Sequence, residues 1–274
     1  MSTRIPLYQV DAFSKALFAG NPAAVCPTET WLADDVMQNL AAENNLSETA
    51  FVVPDALGEA DYGLRWFTPK LEVDLCGHAT LATAWVLFNE RGVDKDVLTF
   101  STQKVGVLTV SRGEDGLISM DFPASKPTPA LHPDALVHIL GGPALDYGRA
   151  PNGMMLAVVG SADILQNLRP NFGAVMQLGG HGLIVTAKGD AGSGLDFVSR
   201  FFAPQIGVNE DPVTGAAHTV LTPYWARRLK KDSLCARQIS ARGGDVFCRL
   251  VGDRVHIAGH GVLFMKAEAC LPGA

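Results

Sequence analysis

Three side chains stand where proton chemistry is possible: Glu48, His78 and Asp211. Glu48 lies between a polar turn, Asn44, Asn45 and Ser47, and an apolar stretch, Phe51 to Val53, so its carboxyl falls at the edge of a core. A carboxyl partly withdrawn from water has its charged form disfavoured and its pKa raised, which suits a group that takes a proton and returns it. The same residue is also placed to satisfy loop N–H groups in Ser47-Glu48-Thr49. Asp211 precedes a helix start in Glu210-Asp211-Pro212-Val213-Thr214-Gly215, where Asp serves equally as a cap. His78 follows Gly77 at another helix start and is read as occupying the place equivalent to Asp211; the dipole there lowers its pKa and favours a neutral imidazole. Asn21 belongs to a Gly-Asn-Pro turn. Arg242, in Arg-Gly-Gly, is suited to pairing with a substrate carboxylate.

The element that must position His78 is Leu75 to Leu87, with Gly77 at its mouth and apolar residues on every helical face. Such a helix is buried all round. Its first turn, Gly77 to Ala79, offers unpaired N–H groups and the positive end of a dipole, a site for an anion. The chain does this twice. Arg65, Phe67, Pro69 and Val73 fall opposite Arg200, Phe202, Pro204 and Val208, and Gly77 and Ala79 opposite Gly215 and Ala217, across a loop longer in the second copy. Each copy reads as aromatic strand, proline turn, glycine loop and alanine-rich helix. Two similar halves are expected, with Gly77-His78 and Gly215-Ala216 converging on one ligand. Pro223 is expected to kink the second helix or delay its regular part.

Around these helices the pattern is mostly strands, which predicts an α+β fold rather than an alternating parallel sheet. Thr28 is read as the cap of a helix carrying Leu32, Val36, Met37 and Leu40. Ser161 is read as the cap of another, and Arg237 to Ala241 as a strand. The proline-rich stretch from Pro123 to Pro133 reads as a domain linker. It divides the chain into residues 1–125 and 126–274, the last strand, near 261–268, packing back on the first domain.

The composition of 274 residues, 47% hydrophobic and 18% charged, describes a globular chain with a large core. A formal charge of −6 without a basic run argues against nucleic acid. The segment MSTRIPLYQVDAF contains no apolar h-region, no stretch reaches membrane-spanning length, and the five cysteines are scattered. A cytoplasmic protein with reduced thiols is expected. No metal or phosphate-loop motif is present at recognisable spacing, so neither a metal nor a nucleotide is implied.

Val10-Asp11-Ala12-Phe13, Gly20-Asn21-Pro22-Ala23-Ala24-Val25, Leu46-Ser47-Glu48-Thr49-Ala50-Phe51, Cys76-Gly77-His78-Ala79-Thr80 and Asp211-Pro212-Val213-Thr214-Gly215, in this order, resemble the phenazine-biosynthesis PhzF-like family of the diaminopimelate-epimerase superfamily. The resemblance covers essentially the whole chain. It implies two pseudo-symmetric domains, each a strand barrel around a central helix, with the active site between them, and a cofactor-free, homodimeric isomerase. It places Glu48 on the acid/base glutamate and His78 and Asp211 on positions that orient substrate and proton. Ala216 stands where the phenazine enzyme has a serine, which puts that substrate in question. Epimerases of the superfamily use one cysteine per glycine loop. Here Cys76 has no counterpart in Asp211 to Thr214, so a single carboxyl shuttling a proton along a small carboxylate-bearing substrate is the reading. An amino-acid-type racemase or epimerase, and a non-catalytic carboxylate-binding protein, are the alternatives.

Overall fold

The computed structural model describes residues 3–271, in two compact units. Unit 1 comprises the chain up to Asp121 together with the stretch from Ala258, and unit 2 runs from Phe122 to Ile257.

Unit 1 opens with β1 (Thr3–Ala12), β2 (Asn21–Pro27), α1 (Asp34–Asn44), β3 (Glu48–Pro54), β4 (Tyr62–Phe67) and β5 (Glu72–Val73). Then come α2 (Gly77–Asn89), β6 (Val97–Ser101), β7 (Val107–Arg112) and β8 (Ile118–Pro123). β2 runs parallel to β3, β3 antiparallel to β4, β4 parallel to β6, and β6 antiparallel to β7. The 13-residue α2 has no charged side chain and buries ten of its residues, so it forms the centre that these strands wrap. α1 covers an outer face, inserting Met37 and Ala41 against Ile5, Leu7, Phe51 and Phe67. Its N-cap is Ala33 rather than Thr28, whose hydroxyl donates instead to the carbonyl of Thr30.

Unit 2 contains β9 (Thr128–Pro129), α3 (Asp134–Leu140), β10 (Asp146–Arg149), β11 (Met154–Val158), α4 (Ala162–Asn167) and α5 (Phe172–Gln177). β12 (Gly182–Lys188), β13 (Phe197–Ala203), β14 (Val208–Asp211), α6 (Gly215–Leu229), β15 (Ser233–Gln238), β16 (Gly244–Val251) and β17 (Arg254–Gly259) follow. The pairing order repeats that of unit 1. β11 runs parallel to β12, β12 antiparallel to β13, β13 parallel to β15, and β15 antiparallel to β16. As expected, Ser161 caps α4 by accepting the N–H of Ile164. The final strand, β18 (Gly261–Leu271), returns to pair antiparallel with β1 along its length, from Thr3↔Leu271 to Ala12↔Gly261. The fold is α+β, two pseudo-symmetric strand barrels, each around a buried helix.

The duplication extends to side-chain detail. Arg65 forks onto Glu72 through Nε and Nη2, both at 2.7 Å, and lies over the Phe67 ring; Arg200 forks onto Glu210 at 2.7 and 2.8 Å and lies over the Phe202 ring. The hydroxyl of Thr80 donates to the carbonyl of Cys76, the N-cap of α2, and Nδ1 of His218 bonds the carbonyl of Thr214, the N-cap of α6. These pairs fix the alignment and correct it in two places. Glu72 matches Glu210, so the extra residues enter before Glu210, and Val208 does not match Val73. Val73 pairs with Trp66 as Asp211 pairs with Phe201, so Asp211 is the counterpart of Val73 and not of His78.

Two further expectations change. The stretch from Pro123 to Pro133 is not a free linker: Ala124 N–H bonds Asp253 O, Ser125 N–H bonds Thr219 O, and Thr128 and Pro129 pair with β10. The bond from Ser125 also accounts for Pro223 inside an uninterrupted α6. Proline lacks the N–H that would bond the carbonyl four residues back. That carbonyl belongs to Thr219, and Ser125 supplies the missing donor at 3.0 Å.

Candidate active site

Glu48 and Asn21 are the first residues of neighbouring parallel strands, β3 and β2, with Ala23 opposite Glu48. His78 is the second residue of α2, so three chain ends present side chains to one place. Nε2 of His78 stands 3.2 Å from Oε2 of Glu48. On the other side of the ring, Nδ1 lies 3.3 Å from the Asn21 amide nitrogen and 3.4 Å from the Cys76 sulfur. With the Asn21 amide donating, Nδ1 is the acceptor and Nε2 carries the ring hydrogen; its 3.2 Å approach to Oε2 of Glu48 is a close contact whose geometry falls short of a hydrogen bond.

Asn21 is fully buried and His78 is 6% exposed, whereas the Glu48 side chain keeps 19% of its surface. Glu48 is therefore the least buried side chain of the group, although Oε2, the oxygen nearest the ring, is itself buried. Burial pushes the pKa of His78 down to about 3, because a charged ring there would lose its hydration. The imidazole is neutral, as expected for a helix start, but the dominant cause is desolvation.

Gly77, His78 and Ala79 form the first turn of α2. The Cys76 side chain does not cap it, and it contains no acidic residue. The first turn of α6, with Gly215 and Ala216, is likewise uncapped by Thr214 and free of acidic residues. Both helix starts keep the positive end of their dipole uncompensated by a carboxylate in the first turn.

Asp211, Gly215, Ala216 and Arg242 belong to unit 2. There Thr214 donates its hydroxyl to Asp211 at 2.5 Å, and its N–H bonds Oε1 of Gln238 at 2.9 Å. The Gln238 amide donates to the carbonyl of Asp211 at 2.8 Å. Ser240 donates to the carbonyl of Pro212 at 2.7 Å and accepts the N–H of Gly243 at 3.0 Å. The Asp211 loop and the turn carrying Arg242 are thus one hydrogen-bonded assembly. Gly243, at φ +66°, makes that turn possible.

Gln238 was not singled out in the sequence. It is fully buried, and its signal was a polar residue at an inward position of the Leu234, Ala236, Gln238 alternation. That alternation is hidden when the strand is started at Arg237 instead of Ser233. Asp11, 1% exposed, was likewise missed as a working residue. Its carboxylate accepts the N–H of Phe18 at 2.9 Å and shapes the loop that leads to Asn21.

Residues 10–267 match the family model described as phenazine biosynthesis-like protein, PhzC-PhzF. A Pseudomonas aeruginosa protein named as an uncharacterized isomerase is 49% identical over 262 residues, spanning 96% of this chain and 97% of its own. A crystal structure of a PhzF-family protein from Enterococcus faecalis superposes with a TM-score of 0.91 at 44% identity, covering 97% of this chain and 99% of the other. A hydroxyproline epimerase from Agrobacterium vitis, 13% identical with a TM-score of 0.65 over 98% of this chain and 93% of its own, shares the fold.

Proposed function

The chain belongs to the phenazine biosynthesis-like family, and from that premise we propose that it is an isomerase in which Glu48 moves a proton between carbons of a small carboxylate-bearing substrate, without a cofactor. The observation that carries this reading is the placement of the carboxylate of Glu48, a partly exposed side chain, 3.2 Å from a buried, neutral imidazole at the start of a helix.

The chemistry follows from that placement. A C–H bond next to a conjugated carboxylate is weakened as the electron pair is delocalised toward the carboxyl oxygens. Glu48 accepts the proton from one carbon and returns it to another, so no net proton is gained or lost. The N–H groups of Gly77, His78 and Ala79 hold the substrate carboxylate and favour the negative charge that grows on it as the bond breaks. His78, held by Asn21, fixes the direction of the Glu48 carboxylate. In unit 2, Gly215 and Ala216 at the start of α6, and Arg242, are groups suited to binding a carboxylate. Asp211 is suited to orienting substrate and proton. We read the protein as a cytoplasmic homodimer, as its likeness to the family implies.

The test is proton exchange. A panel of small unsaturated carboxylic acids is incubated with the protein in D2O, and deuterium uptake at carbon is read by mass spectrometry. The wild type is expected to label at least one acid, and Glu48→Gln to label none at a comparable rate. Undiminished labelling by the variant would remove Glu48 from the mechanism. Inversion at a single carbon, seen by chiral chromatography, would instead favour a racemase or epimerase. Stabilisation by an acid without any exchange would favour a binding protein.

A further inference from the structure

Glu48, Cys76 and His78 each offer one ligand atom, and these atoms lie within 4.8 Å of one another. Thiolate, imidazole and carboxylate form a donor set of the kind that holds zinc, and three protein ligands leave a fourth position open. From this we infer that the cluster is a binding site for a thiophilic divalent cation, zinc being the natural occupant.

Geometry and burial support the assignment together. Bond lengths of about 2.0–2.3 Å in a tetrahedral zinc site place neighbouring ligand atoms roughly 3.3–3.6 Å apart. Two separations are already close to this: 3.4 Å from the Cys76 sulfur to Nδ1 of His78, and 3.2 Å from Nε2 of His78 to Oε2 of Glu48. They use opposite ring nitrogens, so a cation takes one nitrogen, and a side-chain rotation of the remaining ligand closes the site. Cys76 and His78 are 7% and 6% exposed, which dries two of the three donors and strengthens their bonds to a cation. Glu48 is the least buried of the three ligands. Asn21 stands 3.3 Å from Nδ1; when a cation takes Nε2 the ring hydrogen moves to Nδ1, and the Asn21 amide turns its oxygen to accept it, as outer partners of ligating histidines do. Binding replaces the thiol proton of Cys76 by the metal, and that proton passes to solvent.

The sequence conceals this site, because Glu48 comes from β3, 28 positions before Cys76. Its consequence rests on the function proposed above. A cation held there occupies the lone pairs of Glu48 and His78 together, so zinc becomes a reversible inhibitor of proton transfer. The binding itself does not depend on that function.

Cobalt provides the test, since cobalt(II) reports its own ligands. Chelator-treated protein is titrated with Co2+, and then with Zn2+ in competition. One equivalent of Co2+ is expected to give a thiolate-to-cobalt charge-transfer band and the visible bands of four-coordinate cobalt, both abolished by Zn2+. Cys76→Ser is expected to lose the charge-transfer band although Cys26, Cys235, Cys248 and Cys270 remain, and Glu48→Gln to weaken Zn2+ binding at least tenfold. Circular dichroism and thermal midpoints check that each variant is folded. Persistence of the band in folded Cys76→Ser, or unchanged Zn2+ affinity in both variants, overturns the site in favour of the other thiols. Zn2+ that binds at the cluster yet leaves deuterium exchange intact upholds the site and removes Glu48 from catalysis, so the two readings fail separately.

Discussion

Nε2 of His78 lies 3.2 Å from Oε2 of Glu48, in a ring that burial holds neutral. A charged histidine would clamp the carboxylate as an ion pair and blunt it as a base. A neutral ring at that distance places no counter-charge on the carboxylate and leaves it able to accept a proton. The neutral state comes from burial, and the Asn21 amide addresses the other ring nitrogen.

The imidazole of His78 is therefore expected to stay unprotonated from pH 8 down to pH 5, with its pKa near 3. Nitrogen-15 NMR of the ring checks this directly, and a protonation midpoint above pH 5 contradicts it. His78→Leu is expected to lower the rate of deuterium exchange by roughly 10²-fold, the scale for losing one preorganised donor. The ordinary histidine pKa should be missing from the wild-type pH–rate profile.

Thr219 offers a second test, because its carbonyl takes the N–H of Ser125 in place of the one that Pro223 lacks. Ser125→Pro removes that donor and leaves a buried carbonyl without it, at a cost of about 1–3 kcal/mol. In Pro223→Ala the helix supplies its own N–H, so the same Ser125→Pro change is expected to cost about 1 kcal/mol less. The bond from Asn152 N–H to the Ser125 hydroxyl is common to both backgrounds and cancels. Urea unfolding of the four proteins measures the cycle. Additivity to within about 0.3 kcal/mol would mean that Ser125 does not compensate for the proline.

The elements most legible in the sequence were those whose pattern is local. The apolar run of α2, the aromatic strands β4 and β13, and the glycines opening both helices announced the repeat, and the topology repeats with them. Pairings across long separations were hidden. Nothing near Pro123 to Pro133 signals that this segment is stitched to Asp253, Thr219 and β10, so its prolines read as a linker. Val208 looked like the partner of Val73 because a valine was present in each copy. Only the forks of Arg65 on Glu72 and Arg200 on Glu210 show where the longer loop enters. At the candidate site, Glu48, His78 and Asn21 could be named one by one. Their grouping with Cys76 required β2, β3 and α2 to end at one place.

His218 carries the last prediction, which concerns stability against pH. It is fully buried in α6, with Nδ1 donating to the carbonyl of Thr214 at 2.8 Å and its ring 6.0 Å from that of Phe197. Burial lowers its pKa from 6.5 to about 4, against the smaller opposing effect of the Thr214 bond. Between these two values the unfolded chain binds a proton that the folded chain refuses. Stability from this group is thus complete above pH 6.5 and is lost as pH falls toward 4, by about 3 kcal/mol in all. His218→Thr copies the solution of unit 1, where the Thr80 hydroxyl bonds the carbonyl of Cys76, and removes the titrating ring. The variant is expected to be less stable at pH 7, because the smaller side chain leaves a cavity. Its unfolding free energy should nevertheless fall less between pH 6.5 and 4.5 than that of the wild type, since the carboxylates common to both proteins cancel in the comparison. Urea unfolding at several pH values measures both slopes, and equal slopes would mean that His218 is not among the groups that make the fold acid-sensitive.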